Sequence, residues 1–198
     1  MDVAKHDAAN MVKDIENNSK FKYLVAAISF GTKYSGYVWI SKYDFEACNG
    51  EYQRIFSPPW KRKGGGIQYK APSSVLFRPN KTVHSFGVDA EEYYTENSDR
   101  VDFREWYFFK HFGRKLYFDQ DELKQDTIME DSKEAGHGMK AVDVFAAVLK
   151  YFEADLLKRN ECRNFDKDLK SNDIHWVITV PAILDLKAKQ FMKHVAAK

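Results

Sequence analysis

Two nearly continuous apolar runs constrain the fold most: Tyr23-Leu24-Val25-Ala26-Ala27-Ile28-Ser29-Phe30 near the start and Ile174-His175-Trp176-Val177-Ile178-Thr179-Val180 near the end. Both are strand-sized and neither alternates polar with apolar residues, so each reads as a strand buried on both faces. Two such strands lie parallel only if a crossover joins them, and the chain between them supplies a helix for it. Val142, Phe145, Ala146, Leu149, Phe152, Ala154 and Leu156 recur at spacings of three and four, which predicts a helix from Lys140 to about Arg159. Pro181 stops the second run, and Ala188, Phe191, Met192 and Val195 predict a last helix over 187–198.

Hairpins come earlier in the chain. The first run meets Gly31-Thr32-Lys33, and Tyr37 to Tyr43 is rich in β-branched and aromatic residues, so the two read as a hairpin joined near Gly31 to Gly36. A third strand is expected from Tyr52 to Phe56. Ser74 to Phe77 and Val83 to Gly87 form a second hairpin around an Asn80-Lys81 turn. Helical spacing begins at Asp89 and resumes through Phe103, Trp106, Tyr107, Phe109 and Phe112, an aromatic face expected to pack inward. Arg54, Lys61, Arg62, Lys63, Lys70, Arg78 and Lys81 surround Pro58-Pro59 and Gly64-Gly65-Gly66 with no acidic residue among them. This basic, flexible stretch reads as an anion-attracting arm or as a solvated insertion. The acidic stretch from Asp119 to Glu134 is expected to be exposed, and residues 1–20 to be a flexible leader. The layout is α/β with a mixed sheet: antiparallel hairpins first, then helix, strand, helix.

Composition closes several alternatives. The 198 residues carry a formal net charge of only +2, which argues against a dedicated DNA binder. No apolar run approaches the roughly 20 residues of a membrane span, and the first twenty residues lack a signal-peptide core, so the chain is expected to be cytoplasmic. Cys48 and Cys162 are isolated and read as reduced thiols, while the six histidines match no metal-binding spacing.

The turn at Gly31 is the first feature with chemical content, because successive backbone N–H groups in such a bend can cup an anion. Ala27-Ile28-Ser29-Phe30-Gly31-Thr32-Lys33-Tyr34-Ser35-Gly36-Tyr37 resembles the first phosphate-binding motif of the seventy-kilodalton heat-shock proteins, of the actin and hexokinase superfamily. Trp176 to Ala182 looks like the first connecting motif of those proteins. Ala71 to Leu76, His84 to Gly87, Ala141 to Phe152 and Gln190-Phe191-Met192 are similar to their heat-shock 70 kDa protein 12-like branch. The resemblance covers residues 21–198 and implies the first lobe of an actin-like ATPase with a ribonuclease H-like fold, the second lobe being absent. It implies ATP or ADP as ligand and magnesium as cofactor.

Carried over residue by residue, the resemblance gives Gly31 and Thr32 to the terminal phosphates. Lys33 stands where a second Thr is usual and either offers a point charge to phosphate or points away and leaves a hydroxyl missing, and Tyr34 and Ser35 continue the motif. Lys110 is the candidate for the lysine that positions attacking water; another register puts His111 there. Ser29 replaces the Asp that helps hold hydrated magnesium, so metal binding is expected to weaken and hydrolysis by this chain is not expected. The alternative is a non-enzymatic module that binds protein partners through a degenerate lobe.

Overall fold

The computed structural model describes residues 23–47, 55–118, 123–132, 137–159, 169–179 and 186–198. The expected leader, residues 52–54 of the expected third strand, both cysteines, Pro181 and parts of the acidic stretch lie outside them. In chain order the strands are β1 (Leu24–Phe30), β2 (Tyr34–Ser41), β3 (Trp60–Lys61), β4 (Ile67–Gln68), β5 (Ala71–Pro72), β6 (Ser74–Phe77), β7 (Val83–Phe86), β8 (Tyr107–Lys110), β9 (Ile128–Glu130), β10 (Gly138–Lys140) and β11 (Ile174–Thr179). The helices are α1 (Lys42–Ala47), α2 (Val88–Asn97), α3 (Lys115–Phe118), α4 (Ala141–Lys158) and α5 (Leu186–Ala196). Among the described residues no helix is long and apolar enough to cross a membrane. The fold is mixed α/β with a mixed sheet, and its residues cluster into two compact units.

One unit gathers the described residues of Met1–Ser29, Tyr37–Pro58 and Glu153–Thr179. Here β1 runs parallel to β11 with Leu24 opposite Ile174 and Ser29 opposite Thr179, the pairing the two apolar runs predict. β1 is buried except at half-buried Ser29, whereas most of β11 is half-buried because it is the outer strand of the sheet. Val25, Ala27 and Ile40 form the core, with Val38, Phe45, Ile55 and Val177 packed on it. The second strand stops earlier than expected. Ser41 Oγ accepts the Asp44 N–H at 2.9 Å and donates to the Asp44 carboxylate at 2.6 Å, capping α1 where the sequence suggested continued strand. Of the expected third strand, Phe56 remains as a bridge to Trp39, their rings stacked at 5.8 Å. Buried Tyr37 donates to Asp155 Oδ2 at 2.6 Å and accepts from Arg159 Nε at 3.0 Å; burial, then Asp155, pushes its phenol pKa far up.

The other unit gathers the described residues of Phe30–Gly36, Pro59–Phe152 and Val180–Lys198. Tyr34 and Ser35 pair with Pro72 and Ala71 of β5. β6 is the middle strand of an antiparallel sheet, β7–β6–β8, and all four of its residues are buried. The expected 74–86 hairpin is present, with Lys81 taking the positive φ of its turn. The aromatic stretch is not the helix its spacing suggested. Val101–Glu105 is a 3₁₀ turn that stacks Phe103 on Trp106 at 5.0 Å, and the chain then enters β8. There Phe108 lies parallel to Tyr94 at 4.2 Å while its neighbour Phe109 meets Phe77, one residue on each face of the strand. One 3₁₀ turn followed by a strand reproduces a helix-like spacing of apolar residues.

The core of this unit is aromatic. Phe30 packs edge-on to Phe112 and Phe145 at 5.9 and 5.3 Å, and Phe152 meets Phe30, Trp60 and Phe86. Phe145 also reaches Phe191 of α5. Asp131 corrects the expectation that the acidic stretch is exposed. Its buried carboxylate accepts the Phe108 N–H at 3.3 Å and lies 3.2 Å from His137 Nδ1, and the His137 ring stacks on Tyr107 at 4.2 Å.

Candidate functional site

The turn between β1 and β2 is built by hydroxyls as much as by glycine. Ser35 and Ser73 are fully buried and 2.7 Å apart, oxygen to oxygen. Ser73 Oγ donates to the Gly31 carbonyl at 2.8 Å, a partner that only accepts, so the hydrogen between the two serines comes from Ser35. The Gly31 N–H closes the ring onto Ser35 Oγ at 3.4 Å. Ser73 also donates its N–H to the Lys33 carbonyl at 2.9 Å and accepts the Phe112 N–H at 3.1 Å. One serine thus ties the turn to the corner that follows β8.

That corner is where Lys110 and His111 sit. His111 takes a left-handed conformation at φ 55°, swinging the chain into the 3₁₀ turn Phe112–Arg114. Two glycines allow the close approach: a Cβ on Gly113 would overlap the Gly31 carbonyl oxygen, and one on Gly31 would overlap the Tyr34 carbonyl oxygen. Backbone therefore meets backbone between the corner and the turn.

A cavity of about 290 Å³ opens beside them, lined by Lys33, Tyr34, Arg62, Lys63, Lys110 and His111. The carboxylate on its wall is Glu91, which accepts a hydrogen bond from Ser74 Oγ at 2.8 Å. Four lysine and arginine side chains from three stretches of chain thus face one space against one acid. His111 records this environment. Burial lowers its pKa, Lys110, Arg114 and Lys33 lower it further, and Glu91 opposes them. Its Nδ1 is buried without a hydrogen-bond partner among the described residues.

Of the residues the sequence singled out, Lys33, Tyr34 and Lys110 line this cavity, and Gly31 and Thr32 form the turn next to it. Both registers considered for the lysine reach the same space, since Lys110 and His111 line it together. Ser35 is placed differently: its hydroxyl is committed to Gly31 and Ser73 inside the turn. Reading the chain missed Ser73 as a site residue, although it lies inside the Ala71 to Leu76 motif, and did not separate Arg62 and Lys63 from the rest of the basic stretch. Magnesium fits poorly here. It asks for carboxylates and waters, the cavity wall offers cations, and among the described residues no three of His, Cys, Asp or Glu cluster to hold a metal.

No family model matches the chain. Among curated proteins it is 34% identical to heat shock 70 kDa protein 12A of Mus musculus over 174 residues, covering 87% of this chain and 24% of that protein. Human 12A is 31% identical over 192 residues, 95% of this chain and 27% of that protein. Human 12B is 34% identical over 177 residues, with 87% and 24% covered. The chain is thus homologous, over most of its own length, to the heat shock 70 kDa protein 12 proteins, and spans about a quarter of the length of these curated relatives. Among solved structures, MreB5 of Spiroplasma citri bound to ADP is similar at a TM-score of 0.40 and 10% identity, covering 88% of this chain and 34% of that one. The AMPPNP-bound form of that protein scores 0.39 at 11% identity, with 88% and 35% covered. At these scores the likeness bears no weight on function.

Proposed function

We propose that the chain binds the phosphate end of a nucleotide, ATP or ADP, in the cavity beside the Gly31 turn, and that residues 21–198 act as the first lobe of an actin-like nucleotide-binding domain. The observation that carries this reading is the convergence of Lys33, Arg62, Lys63 and Lys110 on one space next to that turn. A charge-assisted hydrogen bond from lysine or arginine to phosphate is roughly twice as strong as a neutral one, and several acting together favour an anion of high charge. In this reading Thr32 supplies a hydroxyl at the turn, Lys33 and Lys110 contact terminal phosphate oxygens, and Ser35 and Ser73 hold the turn rigid behind them. Magnesium, when carried in by the nucleotide, would neutralise phosphate charge; the residues here do not supply its ligands. Ser29 has no charge to offer a metal, so the role proposed is binding rather than turnover.

Calorimetric titration of the chain with ATP and with ADP tests this. Saturable binding is expected for both, weakened about threefold to tenfold by Lys33→Gln and by Lys110→Gln. Absence of saturable binding by the unaltered chain overturns it.

A further inference from the structure

We propose that this cavity takes its anion without a divalent metal, with Arg62 and Lys63 supplying the neutralising charge, and that its ligand class is a linear polyphosphate, free or carried on a nucleoside. The inference rests on the reading of the cavity as a phosphate site. It starts from how the β3–β4 hairpin spends its charges. Lys61 is tied to helix α2, paired with Glu92 and lying 3.7 Å from Asp89. Its neighbours Arg62 and Lys63 form no ion pair among the described residues, and both line the cavity with Lys33 and Lys110. The hairpin therefore anchors itself through one cation and presents the next two.

The backbone explains the presentation. The Arg62 N–H donates to the Gly66 carbonyl at 3.1 Å and the Gly65 N–H to the Arg62 carbonyl at 2.9 Å, closing a tight reversal. Gly64, Gly65 and Gly66 all take positive φ, between 83° and 96°, and no atom lies within 4 Å of where their Cβ atoms would be. The tip is bare, so no neighbouring atom packs on these glycines; Lys63 also borders a second hollow with Glu91, Glu92 and Glu96, whereas of these two hollows Arg62 lines the cavity alone.

Four like charges facing one space repel one another, and an entering polyanion relieves that repulsion. A magnesium ion brings further positive charge to a wall whose acid, Glu91, is already hydrogen-bonded by Ser74. A metal-free polyphosphate is thus the better partner for this wall than its magnesium complex. Because the cations are exposed, the attraction is screened by salt.

The test titrates the full 198-residue chain with sodium tripolyphosphate and with ATP, each in EDTA and in excess magnesium, at low and moderate salt. Expected is saturable binding of both ligands in EDTA, no gain from magnesium, and an affinity about tenfold lower, with a shallower salt dependence, in the Arg62→Gln/Lys63→Gln double variant. Circular dichroism of that variant should match the parent, since these exposed side chains hold no other element. Binding that appears only with magnesium overturns the inference while leaving the phosphate reading intact. So does a double variant that binds like the parent, or binding of ATP without tripolyphosphate, which would assign the affinity to the nucleoside. Failure of every ligand under every condition overturns both.

Discussion

His111 shows how a single side chain reports on its surroundings. Its ring is partly closed off from water at the end of β8, faces Lys110, Arg114 and Lys33 with Glu91 opposing, and keeps one nitrogen unsatisfied. The folded chain therefore holds it neutral below its ordinary pKa of 6.5. Because the unfolded chain takes up that proton more readily, its contribution to stability is complete above 6.5 and is lost as pH falls through the lowered folded value. His84, half-buried against Tyr93 and Trp106 with Arg78 nearby, adds in the same direction. Urea midpoints measured at pH 7.5 and 5.5 should fall for the parent and fall less for His111→Asn, because asparagine keeps the left-handed backbone without the ring. Equal falls for parent and variant would show that the ring's setting has no such effect.

At the level of elements, α4 contributes two fully buried rings, Phe145 and Phe152, to the aromatic core. Phe152 is completely buried and touches Phe30, Trp60, Phe86 and Tyr151, so Phe152→Ala is expected to cost about 3–5 kcal/mol, read from the urea midpoint. This helix was legible beforehand because its apolar positions repeat over about four turns, and a pattern that long has few alternatives. The β1–β11 pairing was legible for a similar reason: two nearly continuous apolar runs with a long crossover helix between them can lie parallel. Shorter elements were not. Residues 103–112 satisfy helical spacing by combining a 3₁₀ turn with a four-residue strand, and only the pairing of Phe109 with Val75 and of Lys110 with Ser74 decides between the two. Tyr43 belongs to a helix because Ser41 caps it, a local hydrogen bond that outweighs the strand propensity of Tyr43. At the candidate site the turn and Lys110 were singled out through the resemblance to a known family, not through spacing. Ser73 was not, because its importance comes from reaching Gly31 across 42 residues of chain.

For the molecule as a whole, the formal charge of +2 hides an uneven distribution. A nearly neutral protein steers few ligands at long range, but the gathering of Lys33, Arg62, Lys63 and Lys110 creates a local field that acts within about a Debye length, ~8 Å at physiological salt. The homology to heat shock 70 kDa protein 12A and 12B covers nearly all of the chain and about a quarter of those proteins, so the activities of the longer relatives are not thereby its own. The bare run of glycines at 64–66 has one more effect. Trypsin cuts after basic residues in exposed, pliable chain, and Arg62 and Lys63 lie immediately before that run in an exposed stretch. Brief digestion should nick the chain there early among the described residues, and tripolyphosphate should slow that nick relative to cleavage elsewhere. A cut whose rate ignores the added anion would mean that the hairpin stands apart from whatever the cavity holds, so a gel lane serves as a direct gauge of occupancy.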